Sequence, residues 1–154
     1  SSGVGSTALA KTVGDTIDVY PVKGYSITVN LDDESYKHAP KTSLLDDQEK
    51  IVTSTLGRRF RVAGTAELTG ENYDIRRDRI EPLLNWVHTN FPKINTHDYS
   101  SWACLRPMTP NMMPIVKQSK NNPKVFYHTG HGHLGWTLSP ATAVQLTTLI
   151  DKVI

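Results

Sequence analysis

The chain has 154 residues, 38% of them hydrophobic and 21% charged, with a formal charge of +2 at neutral pH. That length suits one domain with a real core, the near-balanced charge lacks the basic excess of a nucleic-acid binder, and the single cysteine, Cys104, excludes an internal disulfide framework or a cysteine-based zinc site. No apolar run approaches the roughly 20 residues of a membrane span, and the N-terminus lacks the charged-then-apolar layout of a signal peptide, so the expectation is a soluble protein on the cytoplasmic side.

Ser1 to Ser6 is a small-residue turn ahead of Thr7 to Val13, a candidate short helix whose orphan N–H groups serine and glycine can satisfy. A flexible terminus or tag remnant is the plainer reading of those residues alone. Ile17 to Leu31 alternates as strands do on either side of Pro21 to Gly24, where proline and glycine break regular pairing. A kink there aims Lys23 or Tyr25 into a cleft, although half-buried sheet packing is the commoner fate of a strand tyrosine. Asp32 to Thr42 reads as a polar loop. Glu49 to Leu56 and Phe60 to Leu68 pair as a hairpin around Gly57-Arg58-Arg59, whose arginines form a solvated tip without a functional role.

Ile80, Leu83, Leu84 and Val87 mark one face of a helix from Asp78 to Asn90, closed by Pro92. Trp86 belongs to the core or its boundary, and His88 to the surface. An apolar strand from Trp102 then runs into Arg106 and a turn punctuated by Pro107, Pro110 and Pro114. A guanidinium at a rigid strand end offers two parallel donors that match a carboxylate; an ion pair with a buried acid is the equal alternative. After a polar loop from Lys117 to Pro123, Val125-Phe126-Tyr127 reads as a short buried strand, and Ala143, Leu146, Leu149, Ile150 and Val153 recur at helical spacing. Between strand and helix lies Tyr127-His128-Thr129-Gly130-His131-Gly132-His133-Leu134-Gly135-Trp136-Thr137, whose glycines let a ligand approach the backbone and whose helix start favours an anion or an electron-rich ring oxygen. His128, His131 and His133 match no zinc spacing, and no acidic residue lies among them, so no metal site is assigned.

Leu105-Arg106-Pro107-x-Thr109-Pro110 followed by Thr129-Gly130-His131-Gly132-His133-Leu134-Gly135-Trp136-Thr137-Leu138-x-Pro140 resembles the C-terminal part of the flavin-dependent D-amino acid oxidase superfamily. Val19-Tyr20-Pro21-Val22-Lys23-Gly24-Tyr25-Ser26 is most similar to the branch of bacterial D-amino acid dehydrogenase small subunits, and Ser1 to Ser6 resembles the last flavin-closing turn of the family. The resemblance implies an α+β fold: a mainly antiparallel substrate-domain sheet with a packed helix, plus remnants of an FAD/NAD(P)-binding dinucleotide domain at both ends. The expected division is 1–16 as flavin-domain remnant, 17–104 as substrate-binding domain, and 105–154 as substrate-anchor turn and flavin-capping strand and helix. Their remnant surfaces are expected to be apolar and exposed unless a partner covers them.

By the same resemblance Arg106 would hold the substrate carboxylate, with Tyr25 and Tyr99 lining the pocket. Gly130, His131, Gly132, His133, Leu134, Gly135, Trp136 and Thr137 would line FAD, Lys23 and Gly24 would lie beside its ring, and Gly3 near its other end. The implied reaction passes a hydride from the α-carbon of a D-amino acid such as D-alanine to FAD, leaving a 2-oxo acid and ammonia after hydrolysis, with a membrane quinone as the implied electron acceptor and a place on the cytoplasmic face of the inner membrane. The family's strand followed by Gly-x-Gly-x-x-Gly and a later acidic residue is read as missing, so the sequence looks like the second half of a member, the isolated chain is expected to hold FAD weakly or not at all, and the partner is a missing N-terminal half or separate subunit. A glycine- or sarcosine-type amine oxidase is the alternative within the family; a catalytically incomplete assembly or binding module, homo-oligomeric through its exposed faces, is the alternative outside it. Asn111, Met112 and Lys117 stand where relatives more often have an acidic residue, a glycine and a glycine, so that turn is expected to be remodelled.

Overall fold

The computed structural model describes residues 2–153; Ser1, at the head of the expected flavin-closing turn, and Ile154, the last residue of the expected capping segment, lie outside the described residues. The described residues group into two compact units, one of 2–22, Thr69–Glu71 and 105–153, the other of Lys23–Leu68 and Asn72–Cys104. The architecture is α+β.

The second unit is built on a five-stranded sheet in the order β2-β3-β4-β1-β5, from β1 (Tyr20–Asn30), β2 (Leu44–Asp46), β3 (Ile51–Leu56), β4 (Arg59–Glu67) and β5 (Tyr99–Met108). Helix α3 (Arg77–Asn90) turns Ile80, Leu83 and Val87 inward, and these join Tyr25, Ile27, Val29, Phe60 and Val62 in one core. Gly64 on β4 is bare because Leu83 Cδ2 and Ile51 Cγ1 would lie 3.1 and 3.2 Å from a Cβ there. The β3–β4 hairpin turns at Gly57, φ +59°, as its glycine suggested.

Two expectations change. The segment about Pro21 to Gly24 is one continuous strand: Pro21 sits at its start, where a missing N–H does not interrupt a ladder, and the irregularity is a bulge, with Lys23 opposite Glu67 but Tyr25 opposite Gly64. Thr65 takes φ +67° in the bulged stretch of β4, a left-handed conformation that a β-branched residue rarely adopts. The polar segment after Asp32 holds a short helix α2 (Asp33–His38), begun by the Asp32 carboxylate accepting from Ser35 N at 2.7 Å. Trp86 is indeed a boundary residue, donating Nε1–H to Asp46 Oδ2 at 2.8 Å. Arg58 pairs with Asp33, whereas Arg59 is the first residue of β4 and not merely hairpin tip.

In the first unit a 3₁₀ turn at Gly3–Gly5 leads into α1 (Ser6–Thr12). Strands β6 (Ile115–Gln118) and β7 (Phe126–Thr129) pair antiparallel, and α4 (Gly135–Asp151) packs on both. Its core is small: Ala10, Ile17, Val19 and Tyr127. Buried Asp15 accepts from Tyr127 Oη at 2.7 Å and Asn121 Nδ2 at 2.8 Å, and bonds from Ser119 and Tyr127 hold its carboxyl below the usual range. The apolar spacing of α4 gave the helix but not its burial, for Thr142 is its one fully buried described residue and Ala143 and Val153 are exposed. Leu9, Trp136 and Val144 stand 58%, 95% and 67% exposed, an apolar surface of the kind expected at the chain's two ends.

Candidate functional site

In the first unit, the turn from β7 into α4 is shaped by glycine. Gly130 and Gly132 have φ of +75° and +57°, the left-handed region that glycine enters freely. A Cβ at Gly130 would lie 2.6 Å from Thr109 Cγ2, and one at Gly132 2.5 Å from Met108 Sδ. On the Cβ side, the close approach these glycines permit is by the chain itself. Gly132 N donates to Pro107 O at 3.0 Å, which ties the turn to the residue after Arg106. Arg106 itself is half-buried on β5.

Gly130-x-Gly132-x-x-Gly135 has the Gly-x-Gly-x-x-Gly spacing between a strand and a helix. It is not the dinucleotide fingerprint, since β7 pairs antiparallel with β6, unlike the strands of a βαβ dinucleotide unit. Helix α4 starts without a side-chain cap at Leu134, so the positive end of its dipole is left for other partners. His133, Leu134, Trp136 and Thr137 are exposed around it, and Gly135 is half-buried.

His128 and His131 both reach Thr142 Oγ1 through Nε2, at 2.8 and 3.0 Å, with ring centroids 4.7 Å apart. The Thr142 hydroxyl donates to Leu138 O at 3.0 Å and so accepts from both rings. Burial, followed by the electrostatic effect of His128, lowers the pKa of His131. Gly3 lies in the 3₁₀ turn with φ +53°; Ser2 Oγ meets Ser6 Oγ at 2.9 Å and Ser6 Oγ meets Thr129 Oγ1 at 2.7 Å, which brings the N-terminal turn to the strand end before Gly130. A groove of about 420 Å³ lies there, lined by Ser2, Ser6, Leu9, Tyr127 and His128 among others. In the Pro-rich turn Met112 takes φ +59°, a conformation glycine adopts freely, while Asn111 Oδ1 accepts from Met113 N at 3.1 Å.

In the second unit Lys23, Gly24 and Tyr25 are buried at the bulge. Glu67, which sequence reasoning did not single out, is the hub. Its Oε2 accepts from Tyr25 Oη at 2.6 Å and lies 3.4 Å from Lys23 Nζ, and its Oε1 takes Arg76 at 3.1 Å and Arg79 at 3.2 Å. Lys23 Nζ also donates to Asn72 Oδ1 at 2.6 Å and Asp74 O at 3.0 Å. The Tyr25 bond, against the opposing effect of burial, holds the Glu67 carboxyl below its usual range; burial and then Glu67 raise the Tyr25 phenol. Burial alone would lower the Lys23 ammonium, but its bonds to Tyr25 and Glu67 outweigh that and raise it. Tyr25 thus spends its hydroxyl inside the unit. Tyr99 is 39% exposed at the start of β5, where Asp98 O accepts from Asn30 N, so the two tyrosines stand roughly 15 Å apart along the strands and are not brought together.

The same fold recurs in solved structures of oxidases. Glycine oxidase from Bacillus cereus ATCC 14579 shares it with a TM-score of 0.79 at 24% identity, over 98% of this chain and 41% of its own, and iminodiacetate oxidase from Chelativorans sp. BNC1 with 0.81 at 19% identity, over 97% and 41%. The family profile DAO, FAD dependent oxidoreductase, matches residues 1–149, and the chain belongs to that family. It is 57% identical to D-amino acid dehydrogenase 3 of Mesorhizobium japonicum over 97% of its length and 36% of the relative's, and 38% identical to D-amino acid dehydrogenase of Dechloromonas aromatica over 95% and 34%. The chain therefore spans about a third of the curated relatives it matches.

Proposed function

We propose that the chain is the substrate-anchoring and flavin-capping part of a D-amino acid dehydrogenase. The observation that carries this reading is the 57% identity to D-amino acid dehydrogenase 3, which extends over 97% of the chain and so through both Arg106 and the Gly130–Thr137 turn. Arg106 anchors the substrate carboxylate through two parallel N–H donors, and the Pro107–Gly132 hydrogen bond couples its strand end to the glycine turn. The residues present fit a flavin: the uncapped start of α4 offers N–H groups and a positive dipole end to an electron-rich ring edge. Gly130 to Thr137 would hold that edge, Gly3 the far end of the cofactor, and Lys23 and Gly24 its ring flank; Tyr99 remains a candidate pocket residue. A flavin held there would supply the hydride acceptor for the substrate α-carbon. The protein's part is orientation and electrostatics.

The domain division 1–16, 17–104 and 105–154 belongs to this reading, as do an N-terminal flavin-binding half or subunit, a quinone acceptor, self-association through the exposed faces, and a place on the cytoplasmic side of the inner membrane; among the described residues no helix is long and apolar enough to cross a membrane. The test is the full-length flavoprotein assayed with D-alanine and an artificial electron acceptor. Arg106→Met should lower kcat/KM by about 100-fold or more, chiefly through KM, with Arg106→Lys in between. Glycine or sarcosine outperforming D-alanine would overturn the substrate assignment. The isolated chain should not retain FAD, and a stoichiometric yellow protein would refute that.

A further inference from the structure

The second unit has one covered and one open sheet face. Strand register puts Ser26 and Thr28 of β1, Arg59, Arg61 and Ala63 of β4, and Val52, Ser54 and Leu56 of β3 on the same side, opposite to Ile27, Val29, Phe60 and Val62, which pack in the core with α3. Among the described arginines of this unit, Arg58, Arg76, Arg77 and Arg79 all pair with carboxylates. Among the described residues neither Arg59 nor Arg61 has a carboxylate within 4.0 Å, and both stand on the open face, two residues apart. The Arg61 guanidinium lies 5.4 Å from the Trp102 ring centroid and reaches Ser26 Oγ at 3.5 Å. Ser26 is 3% exposed, while Trp102 and Leu56 are 54% and 60% exposed. Together with Ser100 these residues line a groove of about 520 Å³ that contains no acidic side chain.

We propose that this groove binds a small organic carboxylate with an apolar body. The carboxylate would sit on Arg61 and Arg59, with Ser26 and Ser100 hydroxyls as further donors, and the apolar body would cover Trp102 and Leu56. Two unpaired guanidiniums on one side of a strand repel each other, and an oxyanion between them removes that repulsion. The exposed indole and leucine decide the rest of the ligand, since a compact hydrated anion such as phosphate gains nothing from them. The groove lies wholly within one unit, and its assignment does not depend on the amino-acid oxidation reading.

The test is isothermal titration calorimetry of the full-length protein with 3-phenylpropionate, with inorganic phosphate in a parallel arm. Binding of 3-phenylpropionate should weaken about tenfold in Arg61→Met, less in Arg61→Lys, and measurably in Trp102→Leu, and should weaken as salt rises. Trp102→Leu keeps an apolar filler and the charge, so it serves if Arg61→Met fails to fold. Phosphate binding as tightly, no binding of 3-phenylpropionate, or binding abolished by Arg106→Met yet indifferent to Arg61→Met and Trp102→Leu would each overturn the proposal.

Discussion

The two compact units solve the problem of apolar surface differently. In the sheet unit Tyr25, Ile27, Val29, Phe60, Val62, Leu83 and Val87 are all 1% exposed or less, so the strands and α3 close on each other. In the other unit the longest helix, α4, fully buries only Thr142 among its described residues and leaves Trp136 at 95% exposure. The first buries its large apolar side chains within itself, whereas the second leaves several of them exposed. The candidate residues divide along the same line: the glycine turn and Arg106 belong to the open unit, and the buried charge cluster around Glu67 to the closed one.

The sharpest way to break this contrast is a cavity in the closed core. Leu83→Ala should cost about 2–5 kcal/mol in chemical denaturation, and a loss no greater than that of a surface change would mean the sheet unit is not self-sufficient. Next comes Glu67→Gln, which leaves Lys23 and the two arginines without their shared carboxylate; the melting temperature should fall by roughly 5–10 °C. Its pH dependence has a fixed sign. Because the folded Glu67 pKa is depressed, its contribution is complete above the ordinary glutamate value and is lost as pH falls through the folded one; because Lys23 and Tyr25 are raised, theirs is complete below their ordinary values and fades as pH rises through the folded ones. A Glu67→Gln variant with the wild-type acid limb would contradict the assignment of Glu67 as hub.

In the open unit Gly132→Ala adds a side chain at φ +57° and against Met108. We expect a loss of about 1–3 kcal/mol, with FAD content of the full-length protein falling further than that loss explains; unchanged FAD content would separate the turn from the cofactor. Trp136→Ser should be the smallest change, within about 0.5 kcal/mol for the isolated chain. In the full-length protein it should matter more, and equal effects in both would show that nothing covers α4.

Some of this was legible from residue order because the forces are local. Gly57 between two alternating runs specifies a hairpin, Ile80, Leu83 and Val87 specify the face of α3, and a β-branched and aromatic run before glycines specifies β7. Helix α2 was missed although Asp32 caps it and acidic residues precede basic ones, because six residues carry no apolar period to notice.

The sequence by itself determined the strand and helix segments, the glycine turn, and the motifs that resemble the flavoprotein family, since each depends on neighbours within a few residues. Only the tertiary structure decided that Glu67 gathers Lys23, Tyr25, Arg76 and Arg79, that Thr109 and Met108 fill the bare sides of Gly130 and Gly132, and that Arg59 and Arg61 share a face with Trp102. Those facts follow from strand register and bulge placement, where one residue of slip moves a side chain to the other face of the sheet, and no short stretch of sequence contains that information.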